Sequence, residues 1–262
     1  MSAVATEIDQ GVGIATLCRA ERHNAFDEAL IADLSAALRE LDAAEDARVV
    51  VLSALGKSFC AGADLAWMRR AAAYGEAENL SDARKLAELL RILNEMSKPT
   101  VARVQGPAYG GGVGLVAACD IAIATYDAQF ALSEAKLGLI PAVISPYVVE
   151  AIGARKARRY FLSAERFSAA EAYRIGLVHE IVPGLEELDQ AVGEVIDALL
   201  ACGPAAQREC KQLLRDLAGR ATDAELIDHT ARAITRVRAS AEAREGIAAF
   251  LEKRQPDWLP EL

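Results

Sequence analysis

Four glycines lie close together in residues 108–115, AYGGGVGL, between two apolar runs of the chain. Because glycine has no Cβ, the backbone N–H groups of such a segment can come within hydrogen-bonding distance of a ligand. Where the glycines also begin a helix, the first N–H groups have no partner in the helix, and the helix dipole favours negative charge beside them. The segment therefore predicts a site for a phosphate group or for the oxyanion of a reacting carbonyl.

Two interpretations of this glycine segment are open. Gly112, Gly114 and Ala117 fit the pattern G-x-G-x-x-G/A of dinucleotide-binding folds, and Glu134 follows at about 20 residues, where an acid could bind a ribose. However, residues 106–109 separate the glycines from the preceding apolar run, whereas the dinucleotide motif has its first glycine at the end of the strand. The other interpretation is an oxyanion hole, in which one backbone N–H contributes about 2.7–4 kcal/mol.

An oxyanion hole usually needs two N–H donors, and a second segment offers one. Residues 58–65, SFCAGADL, follow the apolar run 49–52 and precede a helical stretch that contains Trp67 and Met68. The small residues 61–63 allow a ligand to reach the backbone. Either segment alone is explained as a strand-to-helix turn that needs glycine for its geometry. Only the two segments together predict an oxyanion hole.

The elements that position these segments alternate between strands and helices. The composition of four short apolar runs predicts strands, at 12–17, 49–52, 100–104 and 121–124. Apolar residues at helical spacing predict helices over 28–41 and 80–96. This alternation predicts an α/β domain with largely buried strands. The composition becomes helical near residue 185, and we expect a core at 1–195 followed by a helical C-terminal region at 196–262.

Helix ends are predicted by local patterns in the second half of the chain. Ser168 with Glu171 and Thr222 with Glu225 both have the spacing of a capping box. Helix termini are also predicted at a proline and a glycine, with Pro204 at a first helical position and Gly176 after a last turn.

Composition excludes several classes of protein. The chain has 262 residues, of which 53% are hydrophobic and 26% are charged, as in a soluble globular protein. A net charge of −9 argues against a nucleic-acid partner. We expect no membrane partner and a cytoplasmic location, because no apolar run approaches about 18 residues and no targeting segment begins the chain. The cysteine and histidine spacings predict no metal site.

Together the two glycine segments resemble the paired signatures of the crotonase (enoyl-CoA hydratase/isomerase) superfamily. The matching stretches are SFCAGADLAWM and VQGPAYGGGVGLVAACDIAIAT, with RHNAF, SKPTVARVQG and FALSEAKLGLIPA in the family's order, and the resemblance covers residues 5–255. It implies a crotonase-type spiral of strand-strand-helix repeats with a helical C-terminal trimerisation region. It also implies an acyl-CoA substrate, a homotrimer or a hexamer made of two trimers, and no cofactor.

The same resemblance assigns roles to particular residues. It implies that the thioester oxygen accepts hydrogen bonds from the N–H groups of Ala61 and Gly111, and that Glu134 is the catalytic acid/base. The substrate-binding residues that it implies are Ala61, Ala63, Asp64, Leu65 and Gly111, with Phe250 and Lys253 covering the CoA adenine of a neighbouring subunit. For Phe250 and Lys253, an amphipathic helix with one apolar face is an equal interpretation.

Gly114 stands where hydratases of the family commonly have a second glutamate. Three functions stay open: a hydratase that uses Glu134 alone, a Δ3,Δ2-enoyl-CoA isomerase, or an acyl-CoA-binding protein without activity. Residues 131–172 and 79–90 resemble bacterial 3-methylglutaconyl-CoA and isohexenylglutaconyl-CoA hydratases, which act in leucine and acyclic terpene breakdown and have Gly at this position. This resemblance favours a hydratase. Lys136 is a candidate to bind the free carboxylate of such a substrate, or else points to solvent.

Overall fold

Six strands form the main sheet of the molecule. The computed structural model describes residues 2–259 of the chain. The strands lie in the order β1-β2-β3-β4-β6-β9; they are β1 (Val4–Asp9), β2 (Val12–Leu17), β3 (Val49–Ala54), β4 (Thr100–Val104), β6 (Ile121–Thr125) and β9 (Glu180–Val182). β1 pairs with β2 antiparallel, and the other neighbouring strands are parallel. β3, β4 and β6 are nearly continuous apolar runs because both faces of a parallel sheet are covered.

A second, smaller sheet lies beyond the carboxyl ends of the main strands. It has the order β5-β7-β8, with β5 (Ala108–Tyr109), β7 (Gln129–Ala131) and β8 (Arg166–Ser168). β5 follows β4 and β7 follows β6 after a few residues. The parallel strands β3, β4 and β6 are each followed by a short strand or loop that leads to a helix, and these three segments lie at one edge of the sheet.

Eleven α-helices are present in residues 2–259. They are α1 (Glu28–Ala43), α2 (Leu65–Ala71), α3 (Glu76–Glu95), α4 (Gly111–Ala118), α5 (Ser145–Ile152), α6 (Ala154–Ser163), α7 (Ala169–Ile175), α8 (Leu185–Leu200), α9 (Pro204–Leu217), α10 (Ala224–Arg238) and α11 (Ala241–Glu252). Two 3-10 helices span Ala20–Arg22 and Ser133–Leu137. Within the described part of the chain, no helix has the length and apolar character that crossing a membrane requires.

The two faces of the main sheet pack against different helices. Val50 and Leu52 of β3 belong to the large core that contains α1, α3 and α4. Val49 and Val51, which alternate with them, belong to a smaller core with α8. This alternation follows from the two-residue period of a strand. The sheet is therefore covered on both sides, as the apolar strand composition predicts.

The predicted strands and helices are confirmed, with small differences at their ends. The strand at 100–104 has the predicted bounds, the strands at 49–52 and 121–124 are longer by two residues and one residue, and α1 continues two residues past the predicted end. α3 begins four residues earlier than predicted, at Glu76. There the Gly75 N–H donates to the Glu78 carboxylate at 3.2 Å, an N-terminal interaction that apolar spacing does not detect.

The capping pattern at α7 is confirmed at its first residue. Ser168 Oγ accepts a hydrogen bond from the Glu171 N–H at 3.2 Å. The Glu171 carboxylate does not complete the box, because it binds the Arg174 guanidinium at 2.6 Å and the Tyr160 hydroxyl. Gly176 ends the helix in the left-handed conformation, as predicted.

The cap predicted for α10 is wrong by one residue. Asp223, not Thr222, caps the helix, and its carboxylate accepts from the Leu226 N–H at 2.9 Å. Aspartate is the stronger N-cap residue, so the capping-box spacing to Glu225 does not decide the start of this helix. Pro204 is the first residue of α9, as predicted.

The predicted boundary between residues 195 and 196 falls inside α8. Leu188, Ala191 and Val192 of this helix pack on the sheet in the smaller core, so α8 belongs to the sheet layer and the next helix begins at Pro204. The division into two regions stays a prediction. Residue 1 and residues 260–262, the outer limits of the two predicted regions, lie outside the described residues.

A buried ion pair joins α9 to the end of α4. Lys211 is only 8% exposed, and its Nζ donates to Asp120 Oδ2 at 2.5 Å and to the Lys98 carbonyl at 3.0 Å. Asp120 Oδ2 also accepts from the Thr100 N–H and hydroxyl at 2.7 and 2.8 Å. Asp120 therefore holds together β4, the turn after α4, and the first helix beyond the sheet layer.

We expect Lys211→Met to lower the free energy of unfolding by about 2 kcal/mol. Removal of one partner from a fully buried pair costs about 3–5 kcal/mol, and the loss is smaller here because Asp120 keeps Thr100 and its side chain is 31% exposed. Urea unfolding measures the change. The matched control is Arg232→Met, which breaks an exposed pair with Asp228 and should cost less than about 0.5 kcal/mol. Equal losses would contradict the role of the buried pair.

Candidate active site

The two glycine segments form one wall of a cavity of about 410 Å³. Ala61, Gly62 and Ala63 line it from the segment after β3, and Gly110 and Gly111 line it from the segment after β4. The other walls are largely apolar and include Leu65, Trp67, Met68, Leu86, Leu137, Leu139, Ile140 and Ile144. A concave, mostly apolar cavity with few polar groups is typical of a small-molecule site.

Backbone hydrogen bonds hold the two segments side by side. The Cys60 N–H donates to the Pro107 carbonyl at 3.2 Å, and the Tyr109 N–H donates to the Cys60 carbonyl at 2.9 Å. The approach is close enough to require glycine, since a Cβ at Gly112 would lie 2.5 Å from the Cys60 carbonyl oxygen. Glycine at position 112 is therefore required by packing, independently of any ligand. The same close approach of the two segments brings both of them to one cavity.

Gly111 supplies an unpaired backbone donor at the cavity wall. It is the first residue of α4, where the N–H has no partner in the helix. Gly110, with φ of 50°, turns the chain from β5 into the helix, and its own N–H donates to the Ala131 carbonyl at 2.8 Å. Within residues 2–259 the Gly111 N–H has no acceptor. A Cβ at Gly111 would meet the Phe26 ring at 2.7 Å, so glycine is needed here for packing as well.

The structure corrects the role that the resemblance assigns to Ala61. The Ala61 N–H donates to the His23 carbonyl at 2.9 Å, so it is not available to a substrate. Three residues after His23, the Phe26 N–H donates to the Gly62 carbonyl at 2.7 Å, and the Asp64 N–H donates to the Phe26 carbonyl at 2.8 Å.

These bonds surround Ala63 and leave its N–H without an acceptor among the described residues. N–H groups of successive residues in an extended chain point to opposite sides, so pairing of Asp64 with Phe26 directs the Ala63 N–H away from Phe26. Ala63 lines the cavity and is exposed. The donor of the first segment is therefore Ala63 rather than Ala61, which keeps its place as a lining residue.

Glu134 brings a carboxyl group to the cavity. It lies in the 3-10 helix after β7 and is half-buried, and its Oε2 is shielded from solvent with no hydrogen-bond partner among the described residues. The carboxyl lies beside Gly110, where a Cβ would be 3.1 Å from Glu134 Oε1. Burial raises the pKa of this carboxyl above its ordinary 4.5, against the opposing effect of a backbone N–H. Of residues 2–259, no other titratable side chain lines the cavity.

The space beside Gly114 is filled by Ile144. Gly114 is buried in α4, and a Cβ there would lie 2.9 Å from the Cβ of Ile144 and closer still to its Cγ2. Ile144, just before α5, lines the cavity. A glutamate at position 114 would need this isoleucine to move, so the cavity is built around one carboxyl group.

The other predicted residues of the first segment have different positions. Ala63 and Leu65 line the cavity, and Leu65 is 72% exposed at its mouth. The Asp64 carboxylate caps α2, where it accepts from the Ala66 and Trp67 N–H groups at 2.9 and 3.1 Å. Asp64 thus fixes the start of α2, and its role in CoA binding stays a prediction.

Three predicted residues do not reach the cavity within one chain. Phe250 lies on α11 and is 82% exposed, and Lys253 ends the same helix. Neither lines the cavity, and their contact with the CoA of a neighbouring subunit, which the resemblance implies, stays a prediction. Lys136 is exposed and is also absent from the cavity wall, which agrees with its interpretation as a solvent-facing lysine.

The histidines have structural partners. The His23 ring nitrogen Nδ1 lies 3.0 Å from Ser58 Oγ, and His179 Nδ1 accepts from the Ala122 N–H at 3.1 Å. His229 lies 3.0 Å from an Asp216 oxygen at the junction of α9 and α10. In the part of the chain that the structure describes, no three His, Cys, Asp or Glu side chains form a group that could hold a metal ion.

Two backbone N–H groups without an acceptor among residues 2–259 and one half-buried carboxyl group form a site that is able to polarise a carbonyl and to transfer a proton beside it. Residues 7–260 match the family model described as Enoyl-CoA hydratase/isomerase. The chain therefore belongs to the enoyl-CoA hydratase/isomerase family and is an enzyme of that family. The predicted crotonase fold is confirmed by structural neighbours, as follows.

A crystal structure of an enoyl-CoA hydratase from Shewanella pealeana has a TM-score of 0.95 and 45% identity, with 98% of this chain and 96% of that chain covered. Enoyl-CoA hydratase ACTT6 of Alternaria alternata is 34% identical, over 89% of this chain and 76% of its own length. The 2,3-dehydroadipyl-CoA hydratase of Escherichia coli is 33% identical, over 98% and 99%.

Two features of the site were not found in the sequence. The donor role of Ala63 depends on which N–H groups His23 and Phe26 engage, and nothing in residues 58–65 alone indicates this. Ile144 lies between the 3-10 helix and α5, outside any regular period, so its contact with Gly114 has no signal in the sequence. The sequence shows that position 114 has no glutamate, but it does not show that Ile144 fills the space beside it.

We expect Gly114→Ala to lower the free energy of unfolding by about 1–3 kcal/mol, because the new methyl group overpacks against Ile144. Thermal and urea unfolding measure the change. The matched control is Gly193→Ala in α8, where a Cβ meets nothing within 4 Å and the substitution should stabilise by about 0.5–1 kcal/mol. A stabilising Gly114→Ala would contradict the packing described here.

Proposed function

We propose that the protein adds water reversibly across the Cα=Cβ bond of a 2-enoyl-CoA. The observation that carries the proposal is the presence of the Ala63 N–H, the Gly111 N–H and the Glu134 carboxyl in one cavity. Two N–H groups on the thioester oxygen withdraw electrons from the conjugated double bond, which makes Cβ electrophilic. A carboxylate near the same bond can remove a proton from the attacking water.

Glu134 alone can carry out both proton transfers of the proposed hydration. As the water oxygen bonds to Cβ, one of its protons passes to the Glu134 carboxylate, and the electrons of the double bond move to the thioester oxygen. The two N–H groups stabilise the resulting enolate, by about 2.7–4 kcal/mol for each donor. Glu134 then returns the proton to Cα, which regenerates the carboxylate and completes the 3-hydroxyacyl-CoA.

For the acyl group we propose a 3-methylglutaconyl type. The resemblance of residues 131–172 to hydratases of this substrate supports it, and the name of the Escherichia coli relative, 2,3-dehydroadipyl-CoA hydratase, denotes an acyl group that ends in a carboxylate. A second candidate is an uncharged acyl chain, because apolar side chains dominate the cavity and no Lys, Arg or His among residues 2–259 lines it.

A second candidate reaction is Δ3,Δ2-enoyl-CoA isomerisation. It is favoured by the single carboxyl, since an isomerase needs only one group that carries a proton between Cα and Cγ. It uses the same two N–H donors and no water. The two reactions therefore differ in whether a water molecule is bound beside Glu134.

We expect the wild-type enzyme to hydrate 3-methylglutaconyl-CoA faster than crotonyl-CoA, and to leave 3-hexenoyl-CoA unchanged. Loss of enoyl absorbance follows hydration, and its gain follows isomerisation.

Glu134→Gln should lose about 10²–10⁴-fold in kcat, since it cannot accept a proton. The matched control is the exposed Glu180→Gln. If CoA esters raise the Tm but none is converted, the protein binds acyl-CoA without catalysis.

We expect kcat/KM for hydration to fall at low pH with a midpoint above 4.5. Glu134 must be ionised to accept the proton of water, and burial raises its pKa above 4.5. A midpoint below 4.5 would contradict this assignment.

A raised pKa also means that the folded state binds this proton more tightly than the unfolded state. The contribution of this proton to stability is therefore full below pH 4.5 and is lost as the pH rises through the folded pKa. Glu134→Gln should therefore be more stable than wild type at pH 7.

A further inference from the structure

Ser133 brings a second side-chain oxygen to the cavity. It directly precedes Glu134 at the start of the 3-10 helix, and both residues line the same cavity. Ser133 is half-buried, and its hydroxyl makes no hydrogen bond with any residue of 2–259. Unlike Glu134 Oε2, its oxygen is not sealed from solvent.

The cavity offers few other groups that could hold a water molecule. Ile144 fills the space beside Gly114, where a second carboxyl would stand. The remaining side-chain polar atom of the lining is the Trp67 indole nitrogen, which is a donor only and is shielded from solvent near Asp82. Ser133 and Glu134 are therefore the side chains of the described lining whose oxygens can accept a hydrogen bond.

Water that attacks a carbon atom needs two acceptors. One lone pair of its oxygen points at Cβ, so both O–H groups are directed elsewhere. Glu134 accepts the proton that is transferred. The other O–H must be held by a second group, or the water rotates freely and the attack loses its orientation.

We propose that the Ser133 hydroxyl holds the attacking water beside Glu134, a role that rests on the proposed hydration. The Ser133 oxygen accepts the O–H that is not transferred, while the other proton passes to Glu134 and the water oxygen bonds to Cβ. The electrons of the double bond move to the thioester oxygen, and Glu134 then protonates Cα. Ser133 is chemically unchanged and accepts a hydrogen bond from the new 3-hydroxyl group.

The role of Ser133 is specific to water addition. Removal of a Cα proton requires Glu134 and the two N–H donors but no water at Cβ. Exchange of the Cα protons of a saturated ester, butyryl-CoA, with D2O therefore reports on Glu134 and the oxyanion hole without Ser133. A residue that only positions Glu134 would affect hydration and exchange alike.

The test compares Ser133→Ala, Ser133→Cys and Ser133→Thr with the wild-type enzyme. Kinetics of crotonyl-CoA hydration give kcat and KM, and NMR gives the exchange rate for butyryl-CoA. Cysteine keeps the size of the side chain but accepts hydrogen bonds weakly, and threonine keeps the hydroxyl. The matched control is Ser145→Ala, because Ser145 is also half-buried but does not line the cavity, and its hydroxyl already donates to the Ala142 carbonyl at 2.7 Å.

We expect Ser133→Ala and Ser133→Cys to lower kcat about tenfold or more, with KM within about twofold and the exchange rate unchanged. Ser133→Thr and Ser145→Ala should stay close to wild type. An unchanged kcat, or an equal fall in hydration and exchange, overturns the proposal, and the cysteine variant decides if the alanine variant does not fold. If the wild-type enzyme hydrates no enoyl-CoA, the proposed function itself fails, which is a different result from hydration that does not depend on Ser133.

Discussion

The backbone hydrogen bonds between Cys60 and residues 107–109 determine where the site is. They join the segments that follow two neighbouring parallel strands, so that both segments turn into their helices at the same place. The pairing leaves no room for a Cβ at Gly112, and a Cβ at Gly62, which has φ of 88°, would lie 3.0 Å from the Tyr109 carbonyl oxygen. Two unpaired N–H groups therefore lie in one cavity as a consequence of how the main chain pairs. In the proposed reaction, the groups that polarise the thioester are backbone N–H groups, so the reaction needs no particular side chain at positions 63 and 111.

In the proposed reaction, a single carboxyl group carries out the acid–base steps. Glu134 is placed by the short strand β7, which pairs with β5 and so fixes the distance between the carboxyl and the glycine segment. Its shielded oxygen has no partner among residues 2–259, and its burial costs free energy in the folded state and raises the pKa. A carboxylate with a raised pKa is a stronger base than an ordinary one, so it accepts a proton from water more readily. The packing of Ile144 on Gly114 excludes a second carboxyl, so the departure from the two-glutamate pattern is part of the core and not an isolated loss.

The sequence predicts the strands, the long helices, the glycine segments and Glu134, because these depend on local composition and spacing. It does not decide between Ala61 and Ala63, since the choice depends on which N–H groups are engaged by His23 and Phe26, more than thirty residues earlier in the chain. It misses the contact of Ile144 with Gly114 for the same reason. The predicted capping residue of α10 is wrong because two possible capping residues, Thr222 and Asp223, are adjacent, and only the backbone geometry selects Asp223. Sequence reasoning does not identify which residues that are distant in the chain contact each other in the fold.

The rigidity of α4 connects these observations. Its N-terminus offers the Gly111 N–H, and Val113, Leu115 and Val116 are buried in the large core. Beyond its C-terminus, Asp120 is bound by Thr100 of β4 and by Lys211 of α9. A helix that is fixed at both ends cannot follow small movements of a substrate, so its N–H group is oriented before the substrate arrives. Donors that are oriented in advance stabilise a developing charge without a cost of reorganisation. In the proposed mechanism, α9 therefore helps to position α4 through the contact of Lys211 with Asp120, even though no side chain of α9 lines the cavity.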